Sequence, residues 1–352
     1  MSAPLTKRFS PWRVTVQGSD TSFEVRRNDL LLRSALAQGI AYPHNCRVGT
    51  CGRCKTRLVD GHVTPLVDFA LSPLTHEELK QGYILACQAQ VRSDLCIDVE
   101  LDQRALPPQR TIASHVVGWR RLGGDVLDLR LRLDEPLMFS AGQYASIAPS
   151  GSFVRRSYSF YDAPPAADGP GADGVGFLIK RLPGGQLSEW LFAEDRRGCK
   201  IWLEGPFGQM GVDVEQDRDA LCVAGGTGLA PILSIVADRL KRTTKAIFTI
   251  VFGVRGKADL FATDRLRQLQ ERAPGRVQVL PILSDEPASS SWQGRRGLVT
   301  EALTSELCSD YSQVDAFVCG RTPMVEAVES RLKDLGVAAT RIHTDKFQPT
   351  GV

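Results

Sequence analysis

The stretch Cys46-Arg-Val-Gly-Thr-Cys51-Gly-Arg-Cys54 decides how the first part of this chain folds, and Cys87 in Tyr-Ile-Leu-Ala-Cys-Gln completes it. Three thiols separated by four and two residues, with a fourth from a distant segment, match the ligand pattern of a [2Fe-2S] cluster. The two glycines of the stretch suit a loop around two irons, because glycine tolerates positive φ and close backbone approach. The predicted iron ligands are Cys46, Cys51, Cys54 and Cys87. The protein is therefore predicted to carry electrons.

A structural zinc site is the main alternative, since Cys51-x-x-Cys54 alone would fit one. Zinc ribbons usually pair two short knuckles, and Cys87 has no near partner in the sequence, which favours iron and sulfide. A disulfide framework is disfavoured because the chain is large, has nine cysteines and opens with no signal peptide. The remaining cysteines are predicted to be reduced and mostly buried; they are Cys96, Cys199, Cys222, Cys308 and Cys319.

The composition is that of an ordinary globular protein, with 24% charged and 43% hydrophobic residues in 352 positions. This length predicts two or three domains. A net charge of only +3 gives no case for nucleic acid as the main partner. A long uncharged run, 220–237, carries three glycines and a proline, so we expect a buried strand, turn and helix there and no membrane span. The first residues lack an apolar signal region, which predicts a cytoplasmic protein.

Residues 1–105 form the predicted cluster domain. Apolar and polar residues alternate in 12–17 and again in 22–25, which predicts a β-hairpin. After Asn28, a predicted N-cap, apolar residues recur at helical spacing until Gly39. Hairpin, helix and cysteine loop in this order resemble the plant-type ferredoxins, and the resemblance implies a β-grasp fold.

Residues 106–212 form the predicted second domain, which begins in the linker Leu106-Pro-Pro-Gln. Short alternating segments separated by Gly, Pro and Asp turns predict an antiparallel β-barrel. Inside it, Arg155-Arg156-Ser157-Tyr158-Ser159-Phe160 resembles the flavin-binding motif of the ferredoxin-NADP reductase superfamily. The resemblance implies that Arg156 holds flavin phosphate or ribityl oxygens, Tyr158 stacks on the isoalloxazine, and Ser159 bonds near N5. Ser157, in the same motif, is expected to contribute to flavin binding.

A second motif, Pro183-Gly-Gly-Gln-Leu-Ser188, follows in the same domain. By the same resemblance, backbone N–H groups at a helix N-terminus would wrap the flavin pyrophosphate. The residues assigned to this role are Gly185, Gln186, Leu187 and Ser188. FAD is expected in place of FMN, because relatives that use FMN usually carry the cluster domain at the other end of the chain.

Residues 213–352 form the predicted nucleotide domain. An apolar strand runs into Gly225-Gly226-Thr227-Gly228-Leu-Ala-Pro231, and strands and helices then alternate, which predicts a doubly wound parallel α/β sheet. The predicted elements include helices over 263–272 and 299–307 and a strand over 277–283. The glycine turn departs from the usual dinucleotide fingerprint at Pro231. It is similar to the version used by the ferredoxin-NADP reductase superfamily to receive the nicotinamide. The residues assigned to this site are Gly226, Thr227, Gly228 and Pro231.

Val318-Cys319-Gly320-Arg321-Thr322-Pro323-Met324 resembles the superfamily signature Cys-Gly-Pro-Pro-Pro-Met with two substitutions. The resemblance places Cys319, Gly320 and Met324 at the nicotinamide, with Cys319 and Ser159 as the catalytic candidates. A buried strand-end cysteine is the alternative for Cys319.

Two further segments are assigned to nucleotide and flavin. Arg255 and Asp259 follow the second strand, where the adenosine ribose is usually bound, together with Lys257. An acidic residue there suits NADH and basic residues suit NADPH; NADH is favoured because related oxygenase reductases mostly use it. Near the end of the chain, Asp345 and Phe347 resemble the acidic and aromatic pair that closes related sequences. Phe347 would cover the flavin.

The order of cluster, flavin and nucleotide domains resembles the reductase components of bacterial multicomponent oxygenases, of the benzoate dioxygenase reductase type. The resemblance implies hydride transfer from NADH to FAD, single-electron transfer to the [2Fe-2S] cluster, and delivery to a terminal oxygenase, either a Rieske-type aromatic-ring hydroxylating enzyme or a di-iron monooxygenase. The reductase is expected to be a monomer. The same electron path could instead serve a cytochrome P450 or a sugar dehydratase. From another class, a zinc-binding regulatory protein with a vestigial flavin domain is the alternative.

Overall fold

The computed structural model describes residues 10–44, 47, 49, 52–65, 73–101, 107–123, 125–211, 217–243 and 245–347. It separates into two compact units, Met1–Gln109 and Arg110–Val352. Both predicted domain boundaries, 105/106 and 212/213, lie outside the described residues.

The first unit is a five-stranded sheet that packs on a helix. The elements are β1 (Trp12–Val16), β2 (Ser22–Val25), α1 (Leu31–Ala37), β3 (Lys55–Asp60), β4 (Val63–Pro65), α2 (His76–Lys80), β5 (Tyr83–Leu85), β6 (Ala89–Val91) and β7 (Leu95–Asp98). The order is β2-β1-β7-β3-β5, with β1 parallel to β7 and β4 paired with β6 outside the sheet. Apolar side chains of α1 and alternate residues of β1, β2 and β7 form one core, the arrangement of a β-grasp fold.

The predicted N-cap of α1 is wrong. Leu30 occupies that position without a side-chain cap, and Asn28 instead adopts φ 69 in the preceding turn. Asparagine tolerates this left-handed conformation better than most residues, so it turns the chain three residues before the helix.

The second unit begins with an antiparallel barrel. Its elements are β8 (Arg110–Arg121), β9 (Val126–Leu137), β10 (Tyr144–Pro149), β11 (Arg156–Ser159), β12 (Ala172–Lys180), α3 (Gln186–Ala193) and β13 (Lys200–Phe207). The six strands follow the order β11-β10-β13-β8-β9-β12. A bridge between Phe160 and Phe177 joins the two outer strands and closes the barrel around a separate apolar core.

The rest of the second unit is a six-stranded parallel sheet. Its elements are β14 (Ala220–Gly225), α4 (Leu229–Arg242), β15 (Phe248–Val254), α5 (Thr263–Arg272), β16 (Val277–Leu283), β17 (Arg295–Arg296), β18 (Asp315–Arg321), α6 (Thr322–Asp334) and β19 (Ile342–Phe347). The strand order is β17-β16-β15-β14-β18-β19. Strands β15 to β17 lie on one side of β14 and strands β18 and β19 on the other, so the strand order reverses between β14 and β18 although all strands are parallel. A sheet of this kind binds ligands beyond the carboxyl ends of the strands at that reversal.

The predicted fold class is confirmed: a β-grasp domain, an antiparallel barrel and a doubly wound parallel sheet. One predicted helix, 299–307, is wrong, because only a short 3-10 turn, Val299–Ala302, forms there. Val299 lies against Gly253 of β15, where a side chain would come within 2.5 Å of it. Packing of Val299 against the sheet, and not local helical preference, therefore determines the backbone conformation of this segment.

Candidate functional site

The described part of the cysteine loop brings two of the four predicted iron ligands together. Cys54 directly precedes β3, and Cys87 lies in a 3-10 turn between β5 and β6; both are 3% exposed. The backbone N–H of Ala86 donates to the carbonyl oxygen of Cys54 at 3.1 Å, which holds the two segments side by side. Cys46 and Cys51 lie outside the described residues.

The surroundings of these two cysteines suit an iron–sulfur cluster. The side-chain amide of Gln88 donates to Cys87 Sγ at 3.7 Å and to the carbonyl oxygen of Arg47 at 3.3 Å. Gly49 and Gly52 have φ of 87 and 70, the left-handed backbone expected of a loop that turns its N–H groups inward. Hydrogen bonds to sulfur and low exposure are among the features that set cluster potentials.

The predicted flavin motif occupies β11, the outermost strand of the barrel sheet. Tyr158 packs near Phe177 with ring centroids 6.4 Å apart, and burial raises the pKa of its phenol, so the hydroxyl stays protonated. Ser159 is 5% exposed at the end of the strand, whereas Ser157 is exposed. Arg156 donates through Nη1 to the carbonyl oxygen of Arg155 at 2.8 Å. The motif thus presents a guanidinium, an aromatic ring and a hydroxyl along one strand.

The predicted pyrophosphate loop leads into α3, whose N-cap is Gly185. Ser188 Oγ accepts the N–H of Leu182 at 3.1 Å, so its hydroxyl closes the loop. A Cβ on Gly185 would lie 2.6 Å from that oxygen, which only glycine avoids. Leu187 is buried in the barrel core, and Gln186 is exposed. The loop therefore brings backbone N–H groups to a helix N-terminus, as a pyrophosphate site requires.

The C-terminal end of α3 is held by side chains of the barrel. Trp119 Nε1 donates to the carbonyl oxygen of Leu191 at 2.8 Å, and Arg196 donates to that of Trp190 at 2.7 Å. Arg121 does the same for Phe192 at 2.5 Å. Carbonyls at a helix end have no partner within the helix, so these bonds fix the helix in place.

The glycine turn after β14 packs against the carboxyl end of β18. A Cβ on Gly228 would lie 2.2 Å from the carbonyl oxygen of Cys319, and one on Gly225 would lie 2.4 Å from Met324 Sδ. Gly226 adopts φ 56, and Gly320 and Pro231 are buried. Both predicted nucleotide motifs therefore meet at the reversal point of the sheet, where an approaching dinucleotide would find mainly backbone.

A serine, a carboxylate and a thiol converge beside this turn. Ser159 Oγ lies 3.5 Å from Asp345 Oδ2, and Asp345 pairs with Cys319 between β19 and β18. Asp345 is 7% exposed and Cys319 is fully buried. Burial, and then the charge of Asp345, raise the pKa of the Cys319 thiol well above its usual value, which keeps the thiol protonated. The flavin motif of the barrel thus meets the nucleotide motif of the parallel sheet.

Asp345 is a functional candidate whose role the sequence alone does not reveal. Its signal was present, since an acidic residue precedes the aromatic Phe347 by two positions. Phe347 is half-buried and packs against the core that contains Cys319. Only strand pairing, however, shows that Asp345 lies between Ser159 and Cys319.

The predicted ribose segment lies at the carboxyl end of β15. Asp259 Oδ2 accepts the N–H of Gly256 at 3.1 Å, and Arg255 is exposed. Glu286, to which no sequence motif points, accepts the N–H of Lys257 at 2.7 Å. That backbone hydrogen bond is the main cause of the lowered pKa of Glu286, so this carboxylate is ionised at neutral pH. Two carboxylates therefore flank Gly256.

None of the described helices has the length and apolar character needed to cross a membrane.

Residues 14–92 match the family described as a 2Fe-2S iron-sulfur cluster binding domain, and residues 222–330 match an oxidoreductase NAD-binding domain. With the closed barrel between them, these domains define an oxidoreductase that uses a [2Fe-2S] cluster, FAD and a nicotinamide nucleotide. The predicted enzyme class and cofactors are confirmed.

Curated relatives match over nearly the whole length. The xylene/toluene monooxygenase electron transfer component of Pseudomonas putida is 38% identical over 95% of this chain and 93% of its own. The reductase component of the naphthalene 1,2-dioxygenase system of Pseudomonas putida is 34% identical over 92% and 94%. The chain belongs to the family of iron–sulfur flavoprotein reductases that these electron-transfer components of oxygenase systems represent.

Solved structures agree with this assignment. An Amycolatopsis cytochrome P450 reductase superposes with a TM-score of 0.83 at 30% identity, covering 96% of this chain and 99% of the other. The ferredoxin reductase in carbazole 1,9a-dioxygenase superposes with a TM-score of 0.76 at 28% identity, covering 96% and 98%.

Proposed function

We propose that the protein takes electrons from NADH and delivers them, through FAD and its [2Fe-2S] cluster, to the terminal component of an oxygenase system. The observation that carries this proposal is the meeting of Ser159, Asp345 and Cys319 beside the glycine turn. Bound FAD supplies the exchange between a two-electron hydride donor and one-electron acceptors. The xylene/toluene and naphthalene relatives are named for such systems.

The chain's own residues position and hold the reactants in this proposal. Arg156 neutralises phosphate, Tyr158 covers one face of the flavin, and Ser159 offers a hydroxyl that can donate or accept near N5. Asp345 orients that hydroxyl, since it lies 3.5 Å away and is itself almost fully buried. Cys319 contributes a neutral, polarisable neighbour for the nicotinamide, because its raised pKa keeps it from ionising.

The iron ligands remain a proposal of the same kind: Cys46, Cys51, Cys54 and Cys87. Cys54 and Cys87 support it by their burial and by the hydrogen bond from Gln88 to sulfur. We also propose a monomer, since one chain carries every module of the electron path. A cytoplasmic location follows from the donor, because reduced pyridine nucleotide is held inside the cell.

The decisive test is an anaerobic preparation of the whole protein. We expect stoichiometric iron and inorganic sulfide, extractable FAD, bleaching of both chromophores by NADH, and rapid reduction of cytochrome c. A colourless protein that contains zinc would favour the regulatory alternative and end the proposal. Extraction of FMN would end the FAD assignment alone.

Preference for NADH is expected because Asp259 and Glu286 both face Gly256. A Cβ on Gly256 would lie 3.2 Å from Glu286 Oε2 and 4.0 Å from Asp259 Oδ2. Two carboxylates at the expected ribose position accept hydrogen bonds from the ribose hydroxyl groups of NADH and repel the 2′-phosphate of NADPH. Glu286→Gln keeps an acceptor for the Lys257 N–H and removes the charge, so we expect the ratio of kcat/KM for NADH over NADPH to fall about fivefold.

Steady-state kinetics with both nucleotides measure this ratio. Glu306→Gln, a change at an exposed carboxylate 4.0 Å from Arg295, serves as the control and should leave the ratio unchanged. A wild-type enzyme that prefers NADPH would contradict the expectation outright.

A cytochrome P450 is the second candidate acceptor, favoured by the similarity to the Amycolatopsis cytochrome P450 reductase. The electron path within this chain would be the same for either acceptor. Reconstitution with a Rieske oxygenase, a di-iron monooxygenase and a P450 distinguishes them. The true partner class couples NADH consumption to product formation.

A further inference from the structure

A cluster of charged and polar side chains joins the barrel to the parallel sheet. Arg265 of α5 donates through Nη2 to the Tyr161 hydroxyl at 2.7 Å and to Asp128 Oδ2 at 3.2 Å. The Tyr161 hydroxyl in turn donates to Asp128 Oδ1 at 2.7 Å. Asp128 lies on β9, and Tyr161 follows β11. We call Asp128, Tyr161 and Arg265 the Asp128 triad.

Two more arginines of the barrel complete the surroundings of the triad. Arg130 Nη1 donates to the Tyr161 hydroxyl at 2.9 Å, and Arg120 Nη2 lies 3.2 Å from Asp128 Oδ2. The guanidinium of Arg265 stacks 4.0 Å from the Tyr161 ring centroid, with that of Arg130 at 5.6 Å. Tyr161 therefore contacts two cations, one from each domain of the unit.

The triad is costly to leave incomplete. The Asp128 side chain is only 6% exposed, so its charge depends on the partners that it has. Burial raises the pKa of Tyr161, which keeps its hydroxyl protonated as the donor to Asp128. A buried carboxylate that receives both this hydroxyl and a guanidinium from another domain defines one preferred arrangement of the two domains.

The triad lies close in sequence to two segments that are predicted to bind flavin and nucleotide. Tyr161 lies two residues after Ser159, and Arg265 lies six residues after Asp259. The Tyr161 ring lies on Gly176 of β12, where a Cβ would come within 2.2 Å of Cζ. The triad thus connects the end of the flavin strand to the segment expected to bind the adenosine ribose.

We propose that Arg265 is a positioning residue for hydride transfer. By bonding Asp128 and Tyr161, it fixes the parallel sheet against the barrel, and so sets how closely a bound nicotinamide approaches the flavin. This inference rests on the proposed function. Transfer at a fixed site depends steeply on such geometry, since a displacement of about 1 Å can cost about 100-fold in rate.

Arg265→Gln tests the proposal, with Arg267→Gln on the same helix as the matched control. Arg267 is 68% exposed and pairs only loosely with Asp264 at 3.9 Å. Anaerobic stopped-flow measurements give the limiting rate of flavin reduction at saturating NADH and the apparent Kd separately. For Arg265→Gln we expect the limiting rate to fall at least about tenfold. FAD per chain, the flavin midpoint potential and cytochrome c reduction by the dithionite-reduced protein should stay unchanged.

Rescue and an independent perturbation sharpen the test. Arg265→Lys keeps the charge but loses the planar fork, so it should restore the rate only in part. Gly176→Ala leaves every charge in place and displaces the Tyr161 ring, so it should lower the limiting rate as Arg265→Gln does. Should Arg265→Gln fail to fold, Tyr161→Phe, which keeps the ring and removes the hydroxyl, takes its place.

Limiting rates within twofold of wild type in the folded variants would overturn the proposal. A rate loss that merely follows loss of FAD or of thermal stability would also overturn it, since a structural role alone predicts that pattern. If the wild-type protein itself does not reduce its flavin with NADH, the proposed function has failed, and this outcome is distinct from both.

Discussion

Cys54→Ser is expected to abolish electron delivery to one-electron acceptors while leaving flavin reduction by NADH intact. Cys54 is 3% exposed, and its carbonyl oxygen accepts hydrogen bonds from Ala86 N–H at 3.1 Å and Thr56 Oγ1 at 3.2 Å. Serine keeps this backbone but is a poor ligand for iron in a cluster held by thiolates. We expect the rate of cytochrome c reduction to fall at least about 100-fold, because losing an iron ligand lowers activity more than losing a residue that supports a ligand.

Iron and sulfide analysis, the visible spectrum and two acceptor assays measure the effect. Ferricyanide reduction should continue, because the barrel and the parallel sheet form a compact unit separate from residues 1–109. Cys96→Ser on β7, a half-exposed cysteine of the same unit, is the control and should keep its cluster. Full iron content and an unchanged rate in Cys54→Ser would contradict the ligand assignment.

Gly228→Ala is expected to block productive NADH binding. Gly228 has φ −58 and ψ −11, a conformation that alanine adopts freely, so any effect comes from the added methyl group. That carbon would lie 2.2 Å from the Cys319 carbonyl oxygen and 2.5 Å from its carbon. Relief requires movement of β14 against β18, which are paired in register up to Ala224 and Cys319. We expect kcat/KM for NADH to fall about 100-fold, with FAD retained.

The assay is NADH-dependent ferricyanide reduction, with thermal unfolding measured in parallel. Gly275→Ala provides the control, because Gly275 has φ 76 and, among the described residues, no atom within 4 Å of the place that an added methyl carbon would occupy. It should lose about 1 kcal/mol of stability without changing kcat/KM. Equal kinetics for Gly228→Ala and the wild type would show that the nucleotide does not use this turn.

The sequence predicted most of the secondary structure because its signals are local. The bounds of β16 and α5 agree with the predicted strand 277–283 and helix 263–272, since β16 is a short, mostly apolar run and α5 places Leu266 and Leu269 at helical spacing. The segment 299–307 also has helical spacing, but Val299 and Leu303 are buried beneath the sheet, and this packing replaces the helix by a short turn. Tertiary contact overrides local preference in such a segment.

The sequence alone predicted the cysteine loop 46–54 and the glycine turn 225–231, because each depends on residues close in sequence, and resemblance of the motifs gave the order of the three modules. Tertiary structure alone decided that Asp345 lies between Ser159 and Cys319, and that Asp128, Tyr161 and Arg265 form one triad. Residues 128 and 265 are brought together only when the barrel and the sheet pack. Which charged side chains pair there depends on the shape and low polarity of the interface between the barrel and the sheet. The linear sequence does not contain that information.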